Sequence, residues 1–173
     1  QAPEDWWRAV VASTRKLLAN SEVNPAEILA LSISGHSLGA VPVDREGKLL
    51  RKTTPIWSDI RAQDQVKDFF SRVDPDKWYL TTGNGFPAAC YTVFKGMWYR
   101  DEEAEMFDRV YKILGTKDYI NFLLTGMMRI APSYASGTGI FNLVSNYYDE
   151  SFIQASGLKA ELWPEIVPST EVL

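Results

Sequence analysis

The chain of 173 residues holds one histidine and one cysteine, and the histidine lies inside its most overt chemical motif. Gly35-His36-Ser37-Leu38-Gly39 has the spacing G-x-S-x-G and follows Ile28 to Ser34, an apolar run that reads as a buried strand. In this pattern a sharp strand-to-helix turn exposes a serine hydroxyl, and a histidine oriented by an acid takes its proton. Two of those requirements fail. Ala40 to Asp44 are β-like and include Pro42, where a helix should begin. His36 is the serine's own neighbour, so it cannot be the base that arrives later in the chain. The residues favour a glycine-rich turn after a strand. An α/β-hydrolase or lipase fragment with Ser37 as nucleophile is the alternative, and it needs a histidine beyond Leu173.

Other candidates are weaker. Asp59 in Trp57-Ser58-Asp59-Ile60-Arg61 can either pair with Arg61 or cap the helix expected from Ile60 to Val73. Cys90 reads as a small packed residue and leaves no internal disulfide, which fits a reducing cytoplasm. Ser136-Gly137-Thr138-Gly139 has the glycines of a phosphate loop but neither its lysine nor its helix context, so a structural turn is expected. The net charge of −4 is spread among scattered lysines, arginines and acids, which argues against a nucleic-acid partner. No apolar run approaches the roughly 20 residues that span a bilayer, so no membrane role is expected. No signal segment opens the chain, and both ends, Gln1 and Leu173, have the look of cuts.

The elements that must carry these residues follow from periodicity. Trp6, Val10, Thr14 and Leu17 share one face of a helix from Pro3 to Asn20, with Pro3, Glu4 and Asp5 suited to its first turn. Val41–Asp44 and Lys48–Arg51 flank Arg45-Glu46-Gly47 as a hairpin. Pro55 to Trp57 extends again. Helices are expected over Thr92–Arg100, Glu102–Val110, Thr116–Leu124 with Thr116 as cap and Gly126 as stop, and Ser151–Gly157. The order predicts an α/β fold, helix-rich in its second half. With 46% hydrophobic and 23% charged residues, the chain has the composition of an ordinary globular protein.

Taken together, these pieces resemble the FGGY carbohydrate kinases. Ser34-Gly35-His36-Ser37-Leu38-Gly39 is similar to the family's Ser-Gly-Gln strand end, with two substrate-contacting residues and a glycine, before a hairpin. Trp57-Ser58-Asp59-Ile60-Arg61 resembles Trp-x-Asp-x-Arg, and Lys95 with Trp98 resembles Lys-x-x-Trp. Lys117-Asp118-Tyr119, Leu124-Thr125-Gly126, Ala135-Ser136-Gly137-Thr138, Phe141-Asn142-Leu143 and Val167-Pro168-Ser169 continue the match in order, over nearly the whole chain. The resemblance implies residues 1–173 as one partial domain, part of the ribonuclease-H-like (actin-like ATPase) N-terminal domain that binds sugar. The parent would transfer phosphate from ATP, with Mg2+, to a sugar or polyol, a xylulose-like ketose foremost. A non-catalytic sugar-binding module is the other alternative.

The family's phosphate loop, catalytic-base segment and C-terminal ATP domain have no counterpart between Gln1 and Leu173, so no catalytic or metal-ligating residue is expected here. The chain alone should be inactive. The substrate-binding candidates are His36, Ser37, Leu38, Trp57 and Asp59. Trp57 is expected to cover sugar C–H faces, and a core role is its alternative. His36 is either a contact to hydroxyls or a structural, hydrogen-bonded histidine. The departures are Ser37-Leu38, where xylulokinases show Met-His and glycerol kinases Arg-Glu, His36 for glutamine, and Ala131 and Tyr134 for two aspartates. A cytoplasmic parent that assembles as a homodimer completes the expectation.

Overall fold

A computed structural model describes residues 1–173. Helix α1 (Pro3–Ala19) begins as its sequence predicts, with Pro3 in the first turn and Glu4 and Asp5 at the positive end. Trp6, Trp7 and Val10 turn inward on α6 (Thr116–Thr125) and on strands β1 (Val41–Val43) and β2 (Lys112–Leu114). These strands pair antiparallel, Val41 opposite Leu114 and Val43 opposite Lys112. Val41, Val43, Leu114, Tyr119 and Ile120 form the buried centre of this half.

The larger core surrounds α4 (Thr92–Glu102), with α2 (Gln63–Phe70), α3 (Pro75–Thr82) and α8 (Glu150–Ser156) packed about it. Phe69, Trp78, Phe94, Met97, Tyr99 and Phe152 are fully buried there, their rings meeting edge to face at 5–6 Å spacings such as Phe69–Phe94 at 5.3 Å. Short α5 (Ala104–Phe107) follows α4. Strand β3 (Arg129–Ile130) and α7 (Pro132–Ala135) follow α6. Strands β4 (Phe141–Asn142) and β5 (Tyr147–Tyr148) pair antiparallel, and β6 (Glu165–Ile166) pairs parallel with β3. The mixed, helix-rich α/β class agrees with the sequence, with the helices spread over both halves of the chain.

Several boundaries differ. Residues 28–34 form no strand: the segment is extended, but no neighbouring strand lies beside it to complete a ladder. Leu29 is 98% exposed, whereas Ile33 packs into the smaller core. The hairpin after β1 amounts to one bridge, Val43 to Leu49: the Leu50 amide donates to the Pro42 carbonyl, but Pro42 has no N–H with which to extend the ladder. The helix expected over Ile60–Val73 is confined to α2. Glu102–Val110 is helical only over α5, because the backbone breaks at Glu103. Gly115, not Thr116, holds the N-cap position of α6. Helix α3 went unanticipated, although Asp74 caps it by accepting from the Asp76 and Lys77 amides, Pro75 starts it and Gly83 ends it at φ +69°.

Candidate functional site

The loop from Gly35 to Gly39 links the extended segment to β1 and is fixed chiefly through its main chain. The Gly35 amide donates to Tyr134 Oη at 2.7 Å, and the same hydroxyl donates to the Gly35 carbonyl. The Thr116 hydroxyl donates to the His36 carbonyl. Lys95 Nζ donates to the Leu38 carbonyl at 2.6 Å, and Thr92 Oγ1 donates to the Gly39 carbonyl at 3.3 Å. The close approach needs glycine at position 39, where a Cβ would lie 2.3 Å from Thr116 Cγ2.

Within this frame the predicted residues separate. Ser37 is exposed. Leu38 takes a left-handed backbone, φ +64°, and sets its side chain against Gly137, where a Cβ would come within 2.9 Å of Leu38 Cδ2. A branched side chain in that conformation is uncommon and persists only where the surroundings impose it. The His36 ring meets Trp6 edge to face at 5.4 Å, with Nδ1 buried and unpartnered. Burial lowers its pKa, the Ser37 backbone opposes this, and the positive charges of Lys95 and the N-terminus add to the lowering, so the neutral ring is favoured.

Trp57 is 56% exposed in this chain and belongs to none of its buried clusters. Asp59 pairs rather than caps a helix. It accepts from Arg61 Nε at 2.9 Å, Nη2 at 2.7 Å and the Arg61 amide at 3.1 Å, while Arg61 lies over the Trp98 ring at 4.8 Å. Burial would raise the Asp59 carboxyl, but the bonds to Arg61 outweigh it and hold the group below the usual carboxylate range.

The link between these parts is Lys95, named in the sequence only as half of Lys-x-x-Trp. Its Nζ also donates to the Ile56 carbonyl at 2.7 Å, one residue before Trp57, and to the Cys90 carbonyl at 2.7 Å. The sequence signal was available: a lone lysine whose helical neighbours three and four positions away are Tyr91, Thr92, Trp98 and Tyr99, with no carboxylate among them. Tyr134, Thr116 and Thr92 carried no comparable signal, because a tyrosine or threonine reveals nothing of a distant carbonyl.

The geometry does not fit two of the chemistries weighed above. The G-x-S-x-G segment runs from an unpaired extended stretch into β1, so no strand-to-helix elbow exists at Ser37. Ser136–Thr138 is a 3-10 turn whose Thr138 hydroxyl donates to the Ala135 carbonyl and whose Gly137 space is closed by Leu38, so it offers no phosphate cradle.

The sequence profile of the FGGY family of carbohydrate kinases, N-terminal domain, matches residues 1–173. The xylulose kinase of Staphylococcus xylosus is 29% identical over 167 residues, covering 96% of this chain and 34% of the relative. The ligand-bound xylulose kinase of Lactobacillus acidophilus superposes with a TM-score of 0.88 at 27% identity, over 99% of this chain and 34% of that one. The gluconate kinase of the same organism gives 0.85 at 26%, over 96% and 33%. The chain spans about a third of the length of the relatives it matches. The motif order, the helix-rich α/β fold and a profile that runs from end to end agree: this chain belongs to the FGGY family of carbohydrate kinases, within their N-terminal domain.

Proposed function

We propose that the parent protein phosphorylates a sugar or polyol with ATP, a xylulose-like ketose foremost, and that this chain supplies part of the wall the sugar lies against. The observation that carries the reading is the convergence of the His36–Leu38 loop and the Trp57 segment on one ammonium, with Trp57 left open to solvent. An exposed indole is costly as decoration and well suited to cover the C–H face of a sugar. The family membership and the xylulose kinase relatives support the same choice. Ser37 is the exposed hydroxyl of the loop and the one free to meet a sugar hydroxyl. Leu38 offers neither charge nor imidazole at its position, so recognition there is by shape.

An ATP–Mg2+ group does not fit the residues of this chain. No three His, Cys, Asp or Glu side chains are grouped to hold a metal, and the Ser136–Gly139 turn is closed. The nucleotide, its metal and the base that receives the sugar proton are therefore assigned to the rest of the parent, and no step is derived through them. An enzyme that consumes ATP works where that nucleotide is kept, so the reading places the parent in the cytoplasm.

Trp57→Ala in the full-length enzyme tests the assignment. The expected result is a roughly 10- to 200-fold fall in kcat/KM for the sugar, the range for lost pocket contacts, with the KM for ATP little changed. Unaltered sugar kinetics would remove Trp57 from the site.

A further inference from the structure

A lysine inside an apolar helix loses the hydration of its ammonium and must find polar partners. Lys95 is fully buried on α4 between Phe94 and Gly96, and it forms no salt bridge, the nearby Asp59 carboxylate being taken by Arg61. Three main-chain carbonyls supply the partners instead: Leu38 at 2.6 Å, Ile56 at 2.7 Å and Cys90 at 2.7 Å. An ammonium has three N–H donors, so the set is saturated. Burial brings the pKa down to about 8, with Cys90 and Asp59 opposing, so at pH 7 the charged form with three protons still predominates.

The choice of acceptors is informative. The carbonyls within α4 are taken by the helix's own amides, so the partners of Lys95 must come from other segments, and which segments they are is the information. Two of these three come from segments 57 and 39 residues away. Leu38 is the residue held at φ +64°, and Ile56 directly precedes the exposed Trp57. Cys90 ends the 3-10 turn before α4. One atom thus sets the mutual spacing of three stretches of main chain, and it is carried by a helix at the centre of the larger core.

We propose that Lys95 is a positioning residue for sugar recognition: it fixes the His36–Leu38 loop, Trp57 and the Cys90 turn relative to one another and so governs sugar affinity without touching the sugar. The inference rests on the sugar-kinase reading. Its test begins with wild-type full-length enzyme and a panel of sugars with ATP, where absence of any turnover overturns that reading itself. With turnover established, Lys95→Met is expected to raise the sugar KM by roughly 100-fold, the effect of misplacing a contact by about 1 Å, while the KM for ATP stays within about threefold. Lys95→Gln, which keeps two N–H donors, should fall between the two. A folded Lys95→Met with wild-type sugar KM overturns the proposal, and so does an equal loss toward sugar and ATP. Should Lys95→Met fail to fold, Lys95→Gln is judged by the same split, and a normal sugar KM there overturns it.

Discussion

The two halves of this chain are held together in different ways. Around α2, α3, α4 and α8, large side chains meet one another: Trp78 touches Phe70 and Tyr91 edge to face at 5.4 and 5.5 Å, and Phe69 meets Phe94 and Phe152. At the wall proposed to face the sugar, remote side chains grip main-chain carbonyls, as Lys95, Thr116, Thr92 and Tyr134 do along residues 35–39. Packing fixes a body and tolerates little change in volume. Carbonyl bonds fix a loop while leaving an exposed side chain such as Ser37 free to differ from other family members, whereas Leu38 is held against Gly137. On this view substrate choice can drift while the scaffold stays.

The largest test removes part of the body. Trp78→Ala deletes a fully buried indole and leaves the Gly139 carbonyl without the donor it now has at 2.7 Å. Destabilisation of about 3–5 kcal/mol is expected in urea denaturation of the full-length protein. The folded fraction should keep a normal sugar KM. A selective loss of sugar affinity would show that body and wall are one unit.

This division also explains what was legible in the sequence. Helices α1, α4, α6 and α8 could be read because apolar spacing, Pro3, Gly126 and Gly157 are local signals. Residues 28–34 read as a strand because short apolar runs rich in Ile and Leu are shared by paired strands and by segments without a partner. Lys112–Leu114 escaped notice for the opposite reason: its pairing with Val41–Val43 bridges 69–73 positions of sequence, which no window spans. The wall followed the same rule. Motif order located the loop and Trp57, and Asp59 proved to pair with Arg61 two residues away. The three carbonyls on Lys95 could not be seen, since the acceptors are main chain and carry no residue identity.

A second test uses charge, read as the difference between wild type and Lys95→Gln so that other shifted groups such as Lys112 cancel. Lysine in an unfolded chain titrates near 10.4, whereas Lys95 in the folded protein is brought to about 8. Between those values the unfolded chain binds more protons, so stability rises with pH across the window. The burial penalty is present in full below about pH 8 and gone above about 10.4. Relative to Lys95→Gln, which has no such group, the wild type should gain on the order of 3 kcal/mol from pH 8 to 10.4. Trp78→Phe should follow the wild-type slope. Parallel curves for wild type and Lys95→Gln would mean that Lys95 is not a titrating, buried clamp.

The smallest effect is expected at the far end of the loop. Tyr134 stands where family members often carry an aspartate, and its hydroxyl both accepts from the Gly35 amide at 2.7 Å and donates to the Gly35 carbonyl. Lys117 Nζ lies 4.5 Å from the ring centroid, so Tyr134→Phe keeps that cation–π contact and the ring's packing while deleting only the hydroxyl. Gly35 is exposed, and water can take over both of its backbone groups once the hydroxyl is gone. The stability loss should therefore sit at the low end for a hydrogen bond, about 0.5 kcal/mol. Loosening the loop's first residue should still reach the sugar, raising its KM by roughly 2- to 10-fold with the ATP KM unmoved. The contrast with Lys95 is the point of the measurement: one hydroxyl on a single residue against one ammonium joining three segments. If Tyr134→Phe instead lost more than about 2 kcal/mol with an unchanged sugar KM, its hydroxyl would belong to the body, and the boundary between the two regions would have to be redrawn beyond Gly35.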